Sequence, residues 1–244
     1  MSNSASVGIA AFVVDRFGPR SVEVDTAPRV RGASVVKPLL FWVGAGAEPF
    51  ATDPDGWEAI ARPSVTVSDN DATAVLWSGV GEHGLLTELT DRAGVVWTTA
   101  GDGEHPALRL LVTAGELGQA YARLASDESR AAVLVRRWMR DVPTAQTFGL
   151  RKVAAETTGC SEGSVGVKCG WFGLQRAHAV VLVELGERTL GAAVTTARRV
   201  DPSDQARAQE LSGDVSRLAL AHNEVAGESI RHSTRRALER AAEL

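Results

Sequence analysis

The sequence predicts an α/β (α+β) protein, with one antiparallel sheet drawn from both ends of the chain, flanked by helices, and a helical lobe inserted between them. Three observations carry that prediction. Two short β-rich runs, Val7 to Val14 and Ser21 to Asp25, are parted by the turn-forming Arg16-Phe17-Gly18-Pro19. Three later runs, "EGSVGVKCGWFG", "AHAVVLVELG" and "TLGAAVTTAR", are short, β-branched and separated by turn residues, as strands of one sheet are. Between the two groups, apolar residues recur at spacings of three and four, the helical period. A chain of 244 residues, 44% hydrophobic and 23% charged, suffices for one domain over 1–244. Its sheet lobe is expected from about 1–31 and 160–244 and its helical lobe from about 32–159.

After the N-terminal hairpin, the run from Val30 to Gly44 has helical length, and Pro38 falls early in it, where a missing backbone N–H costs little. "GAGAEPFATDPDG" reads as loop, and "PDGWEAIARP" as at most a short helix ending before Pro63. Ser68-Asp69-Asn70 precedes a helix over "DATAVLWSGVG", and "HGLLTELTDRAG" is a second helix closed by glycine. "TTAGDGEHPA" is loop. "LRLLVTAGELGQAYARLA" and "DESRAAVLVRRWMRDV" both show the amphipathic period and predict helices. From Pro202 onward the pattern returns to helix, as two helices broken near Ala226-Gly227.

Lys plus Arg is 26 and Asp plus Glu is 30, a formal net charge of -4, which argues against nucleic acid as a partner because no basic stripe supplies the phosphate-binding contribution. The clusters Arg136, Arg137, Arg140 and Arg235, Arg236, Arg240 read as solvated helix faces. Two cysteines, Cys160 and Cys169, give neither a disulfide framework nor a metal-ligand spacing. The first residues read as a strand and not as a leader, and no apolar run approaches the roughly 20 residues of a membrane helix. A cytoplasmic location and no membrane partner are therefore expected.

Three short motifs stand in order: Ser34-Val-Val-Lys37, Ser68-Asp69-Asn70 and Lys168-Cys169-Gly170. Singly each is weak, since a serine or aspartate ahead of a helix is often a simple cap. Together, each on its own element, they resemble the S-x-x-K, S-D-N and K-T-G signature of the serine β-lactamase and penicillin-binding-protein superfamily, and most closely the small S-D-N-type (class A-like) β-lactamases. The resemblance spans about Val7 to Ala221 and implies a β-lactamase-like fold and a serine hydrolase. A serine hydroxyl needs a base, and a lysine three positions on shares its helix face. Val35, Val36, Leu39 and Leu40 surround that lysine with apolar groups, which lowers a lysine's pKa.

The resemblance also implies roles. Ser34 is the nucleophile and Lys37 its base. Ser68 relays a proton between Lys37 and the leaving group, and Lys168 supplies positive charge. Asn70 binds the substrate's amide, Gly170 belongs to the third motif, and the N–H groups of Ser34 and Trp171 form the oxyanion hole. The sequence departs from the pattern in three places. Cys169 stands where the family has a hydroxyl, and a thiol is a weaker partner for a substrate carboxylate. "VVWTTAGDGEHPALRL" lacks the family's Glu-x-x-x-Asn, leaving Glu104 and His105 as possible deacylation groups. Thirty-four positions part Ser34 from Ser68, which implies less helical material and a more open cleft. Trp171 is expected to flank that cleft and His178 to be a packed residue.

The reading is a serine hydrolase acting by a covalent acyl-enzyme on an amide, ester or β-lactam carbonyl of a small acyl substrate. No metal or organic cofactor is implied. Its alternatives are an acyltransferase, thioesterase or amidase of intracellular small-molecule biosynthesis, and a non-catalytic binding protein that retains the pocket. Monomer and homodimer both remain open.

Overall fold

The computed structural model describes residues 5–101, 105–199, 202–211 and 214–244. The chain opens with the hairpin β1 (Ser6–Asp15) and β2 (Gly18–Asp25), and Gly18 at φ +92° takes the left-handed turn conformation that a side chain resists. β3 (Val30–Arg31) leads through a 3₁₀ turn (Ala33–Val36) into α1 (Lys37–Gly44), α2 (Pro54–Val67), α3 (Asn70–Val80) and α4 (Glu82–Ala93). β4 (Thr98–Thr99), α5 (Pro106–Arg109) and β5 (Leu110–Val112) precede α6 (Ala114–Ser126), α7 (Arg130–Arg140) and α8 (Leu150–Thr158). The chain closes with β6 (Val165–Phe172), β7 (Arg176–Leu185), β8 (Arg188–Ala197), α9 (Pro202–Glu210) and α10 (Val215–Glu243).

The main sheet is five-stranded and antiparallel, in the order β2-β1-β8-β7-β6, so the N-terminal hairpin docks on the C-terminal meander as expected. A small second sheet, β3-β5-β4, supports the start of the first helix. Both faces of the main sheet are covered, which is why its central strands read as nearly continuous apolar runs. Alternate residues of β1 divide between two cores. Ala10 and Phe12 join α1, α4, α6 and α7 on one face. Ile9, Ala11 and Val13 join Leu150 of α8 and Ile230 and Leu238 of α10 on the other.

Three expectations are corrected. α2 runs through Pro63 for 14 residues, because Trp57, Ala61, Ser64 and Val65 form one buried stripe on both sides of the proline. Packing along that stripe outweighs the single hydrogen bond the proline removes. The segment expected as one helix from Leu108 is α5, then β5, then α6. α6 begins at a capping box in which Thr113 and Glu116 satisfy each other's backbone, a T-x-x-E signal visible in the sequence. At the C-terminus the interruption falls between α9 and α10, and α10 is continuous through Gly227. A Cβ there would lie 2.3 Å from Asn223 Oδ1 and 2.8 Å from Arg231 Nη1, so this glycine makes room for the 2.8 Å Arg231–Asn223 bridge and does not end a helix.

β8 approaches β1 over a second small residue. Phe12 lies directly across from Gly191, and a Cβ at 191 would come within 2.0 Å of the ring's Cζ. The aromatic ring covers the glycine backbone. Gly191→Ala is expected to cost about 1–3 kcal/mol by overpacking. Thermal melts followed by circular dichroism check this, with Phe12→Leu in the same chain expected to recover most of the loss.

Candidate active site

Ser34 sits in the 3₁₀ turn ahead of α1, and three tethers fix that turn. Gly32 N–H donates to Leu110 O at 2.8 Å, joining it to β5. Tyr121, wholly buried in α6, donates its hydroxyl to Val35 O at 2.6 Å. His178 of β7 donates Nε2–H to Arg31 O at 2.9 Å while its Nδ1 accepts from Thr196 N–H at 3.3 Å. Burial lowers the His178 pKa to about 4, so the ring is neutral, as this pairing requires. Ala33 at φ +49° is a left-handed non-glycine residue, the kind of local strain that collects at functional sites.

Lys37 follows on the first turn of α1, fully buried, with Val35, Val36, Leu39 and Leu40 buried around it. Its Nζ donates to Ser68 O (2.6 Å), Asp69 O (3.1 Å) and Asn70 Oδ1 (2.8 Å). Three acceptors are the full complement of an ammonium group. Burial nevertheless lowers the Lys37 pKa to about 7, with the Asp69 charge opposing the shift, so both protonation states are populated near neutrality. Among the described residues no hydrogen bond joins Nζ to Ser34 Oγ. Loss of one proton leaves Nζ with a lone pair and one hydrogen bond fewer to these oxygens.

Lys168 comes up from β6 on the other side of the Ser68 corner. Its Nζ donates to Val65 O (2.8 Å), Ser64 O (3.3 Å) and Ser68 Oγ (2.5 Å). The two carbonyls belong to the last turn of α2, where helix carbonyls lack intrahelical donors and the helix dipole favours a cation. Burial, then the charge of Lys37, hold the Lys168 pKa well below its ordinary value. Ser68 thus touches both lysines, with its carbonyl on one and its hydroxyl on the other. It ends α2 at φ +62° and ψ +34°, a left-handed cap without glycine. Asp69, not Ser68, caps α3, accepting from Ala72 N–H at 3.0 Å. Behind the corner, Thr73 donates to Asp69 O (2.9 Å), so Ser64 donates to Thr73 Oγ1 (2.7 Å), which ties α2 to α3.

β6 forms the opposite wall. A Cβ at Gly170 would lie 2.6 Å from Ser34 N and 2.7 Å from Val35 N, so only glycine lets the strand backbone approach the Ser34 backbone amide. Trp171 follows it and borders the cleft, but it shares the face of Cys169, and its ring packs on the second core, 6.0 Å from Phe148 and 5.8 Å from His222. Cys169 was expected on the substrate side and is placed elsewhere. Strand alternation sends Lys168 and Gly170 towards the cleft and the Cys169 side chain into the second core, with Val167 and Ala179. Burial pushes its thiol pKa up, as for an inert packed cysteine.

Ser34, Ser68, Asn70, His105 and Trp171 line one cleft of about 390 Å³. His105, at the start of α5, contacts Asn70 O through Nε2 at 3.0 Å and accepts from Ala107 N–H through Nδ1 at 3.3 Å. Both ring nitrogens are therefore committed in a neutral imidazole, whose pKa is lowered chiefly by burial. Glu104 lies outside the described residues. Sequence reasoning missed Tyr121 and the Ser64–Thr73 pair. It also missed Arg176, whose guanidinium sits 6.0 Å from the Phe172 ring at the cleft's edge. A signal did exist for Tyr121: it is the chain's single tyrosine, on the apolar face of a helix, and a buried hydroxyl must find a partner.

This antiparallel sheet between helical layers is the fold of solved β-lactamases, and the chain shares it. A β-lactamase from Burkholderia vietnamiensis matches at 17% identity over 93% of this chain and 92% of that chain, with a TM-score of 0.59. A putative class A β-lactamase, PenP, from Rhodopseudomonas palustris matches at 18% identity over 93% and 95%, with a TM-score of 0.59. The TLA-3 extended-spectrum β-lactamase matches at 12% identity over 91% and 94%, with a TM-score of 0.58. Neither a family model nor a curated protein matches the sequence. Among the described residues, no helix is long and apolar enough to cross a membrane.

The Gly170 contact yields a test. Gly170→Ala is expected to displace the Ser34 amide and slow Ser34 labelling by a fluorophosphonate on the order of 10²-fold, the scale of losing one oxyanion donor. Labelling rates compared with those of Gly166→Ala, a glycine of the same strand that packs on Met139 instead, check this.

Proposed function

We propose that this chain is a serine hydrolase that acts through a covalent acyl-enzyme on an amide, ester or β-lactam carbonyl. The observation that carries the reading is the placement of two buried lysines on either side of Ser68, which lines one cleft with a partly exposed Ser34. Neutral Lys37 takes the Ser34 hydroxyl proton as Oγ attacks the carbonyl carbon. The oxyanion is held by the N–H groups of Ser34 and Trp171. Collapse breaks the bond to the leaving group, which takes a proton from Ser68 Oγ. Ser68 is reprotonated from Lys37, and Lys168 stabilises the transient alkoxide. The β-lactamase names of the matching structures support the same class of chemistry. Asn70, with its Oδ1 on Lys37, keeps its amide N–H groups for the substrate. His105 positions Asn70 and does not serve as a free base, since both its nitrogens are engaged.

Intact-protein mass spectrometry after exposure to a penicillin, a fluorophosphonate and simple thioesters tests the proposal. A mass increase that vanishes in Ser34→Ala is expected, and absence of any Ser34-dependent adduct would overturn it. Because attack requires the neutral amine, labelling is expected to rise with pH to a plateau above about 7. Lys37→Ala is expected to slow labelling by about 10²–10⁴-fold and to remove that limb, as stopped-time labelling across pH 5.5 to 9 will show.

A further inference from the structure

The α9–α10 segment reaches the cleft. Leu218, in the first turns of α10, is one of its lining residues, together with Trp171 and Phe172 at the end of β6, Gly173 of the β6–β7 turn and Ala107 of α5. The cleft is therefore two-sided: Ser34, Ser68, Asn70 and His105 on the polar side, and an apolar side that the three motifs do not account for. That side is built and not merely exposed. Leu174, Leu211 and Ala221 form a separate small core, with Ala208 and Leu218 packed against it. Arg198, at the end of β8, donates to Leu174 O at 2.7 Å and pairs with Asp204 of α9 at 2.7 Å, so it clamps the helix to the turn. The His222 ring of α10 lies 5.8 Å from the Trp171 ring, centroid to centroid.

We infer that this segment is an acyl-binding wall: the cleft takes an aliphatic acyl group, whose chain runs from the carbonyl at Ser34 along Phe172, past Trp171, to Leu218. The inference rests on the hydrolase reading for its chemistry, but the binding surface is independent of it. Apolar contact with rigid aromatic and aliphatic walls rewards each added methylene, while a short acyl group leaves that side in contact with water.

The test has a kinetic and a binding arm. With p-nitrophenyl acetate, butyrate, hexanoate and octanoate, kcat/KM is expected to rise with chain length by about 10–100-fold in total, since a methylene in an apolar pocket is worth a small multiple in rate. Calorimetric titration of the Ser34→Ala protein with octanoate and acetate measures the wall without any reaction. Octanoate is expected to bind more tightly, and adding Leu218→Asp is expected to weaken it on the order of tenfold. Leu218→Trp, which keeps the site apolar, is expected to move the preference to shorter chains. Equal affinity for octanoate and acetate, or an octanoate affinity indifferent to both Leu218 variants in folded protein, would overturn the inference. If esters are cleaved equally well by Ser34→Ala, the hydrolase reading falls, while the Leu218-dependent affinity still decides whether the wall exists.

Discussion

Burying the Lys37 and Lys168 ammonium groups on either side of Ser68 sets the demands that the surrounding structure meets. A buried cation without partners is among the most costly arrangements a protein can hold. Here the partners are the carbonyls of one chain corner, and they are available because α2 ends there, with Ser64 and Val65 in its last turn. The corner must stay rigid to keep them aligned. The left-handed Ser68, the Asp69 cap and the Ser64–Thr73–Asp69 hydrogen bonds all act on the same few residues. Pro63 fits the same purpose, since its carbonyl receives the amides of both Ser68 and Asp69 at the turn.

Ser34 is held from the opposite direction. Its turn hangs from the small sheet through Gly32, from α6 through Tyr121 and from the main sheet through His178. All three bonds reach backbone atoms, so they fix where the Ser34 side chain starts and not where it points. Orientation is left to the cleft itself, where Gly170 brings β6 against the Ser34 amide. Ser34 and Lys37 are thus positioned by separate parts of the fold, and the lysine is tuned by burial without restraining the serine.

The main sheet and the three motifs were legible in the sequence because each is local: a period of two, a pair of turn residues, or a spacing of three. The second strand nevertheless begins at Gly18, inside the expected turn, because Gly18 and Pro19 pair with Asp15 and Val14. What was not legible depends on distant partners. Tyr121 meets Val35 across 86 positions and His178 meets Arg31 across 147, and no local pattern announces either bond. Cys169 was assigned to the cleft by analogy of position, but the phase of strand alternation decides its face, and Gly170 against Ser34 sets that phase. Pro63 and Gly227 signalled breaks that the structure does not make, because a buried stripe in one case and a side-chain bridge in the other override the local preference. The wall at Leu218 was hidden because helix periodicity does not say where a helix is laid.

The strand order β2-β1-β8 has a further consequence, for assembly in time. β1 is made first yet lies inside the sheet, and its second neighbour begins at Arg188. During synthesis the hairpin presents an unpaired, apolar edge until the C-terminal meander exists, and such edges invite pairing with other chains. The same delay governs chemistry. Lys168 arrives with β6 and the cover of α10 later still, so a nascent or half-folded chain carries Ser34 as an ordinary hydroxyl. On the proposed mechanism, reactivity at Ser34 is a property of the finished topology, acquired only when the N-terminal hairpin and the C-terminal meander have met.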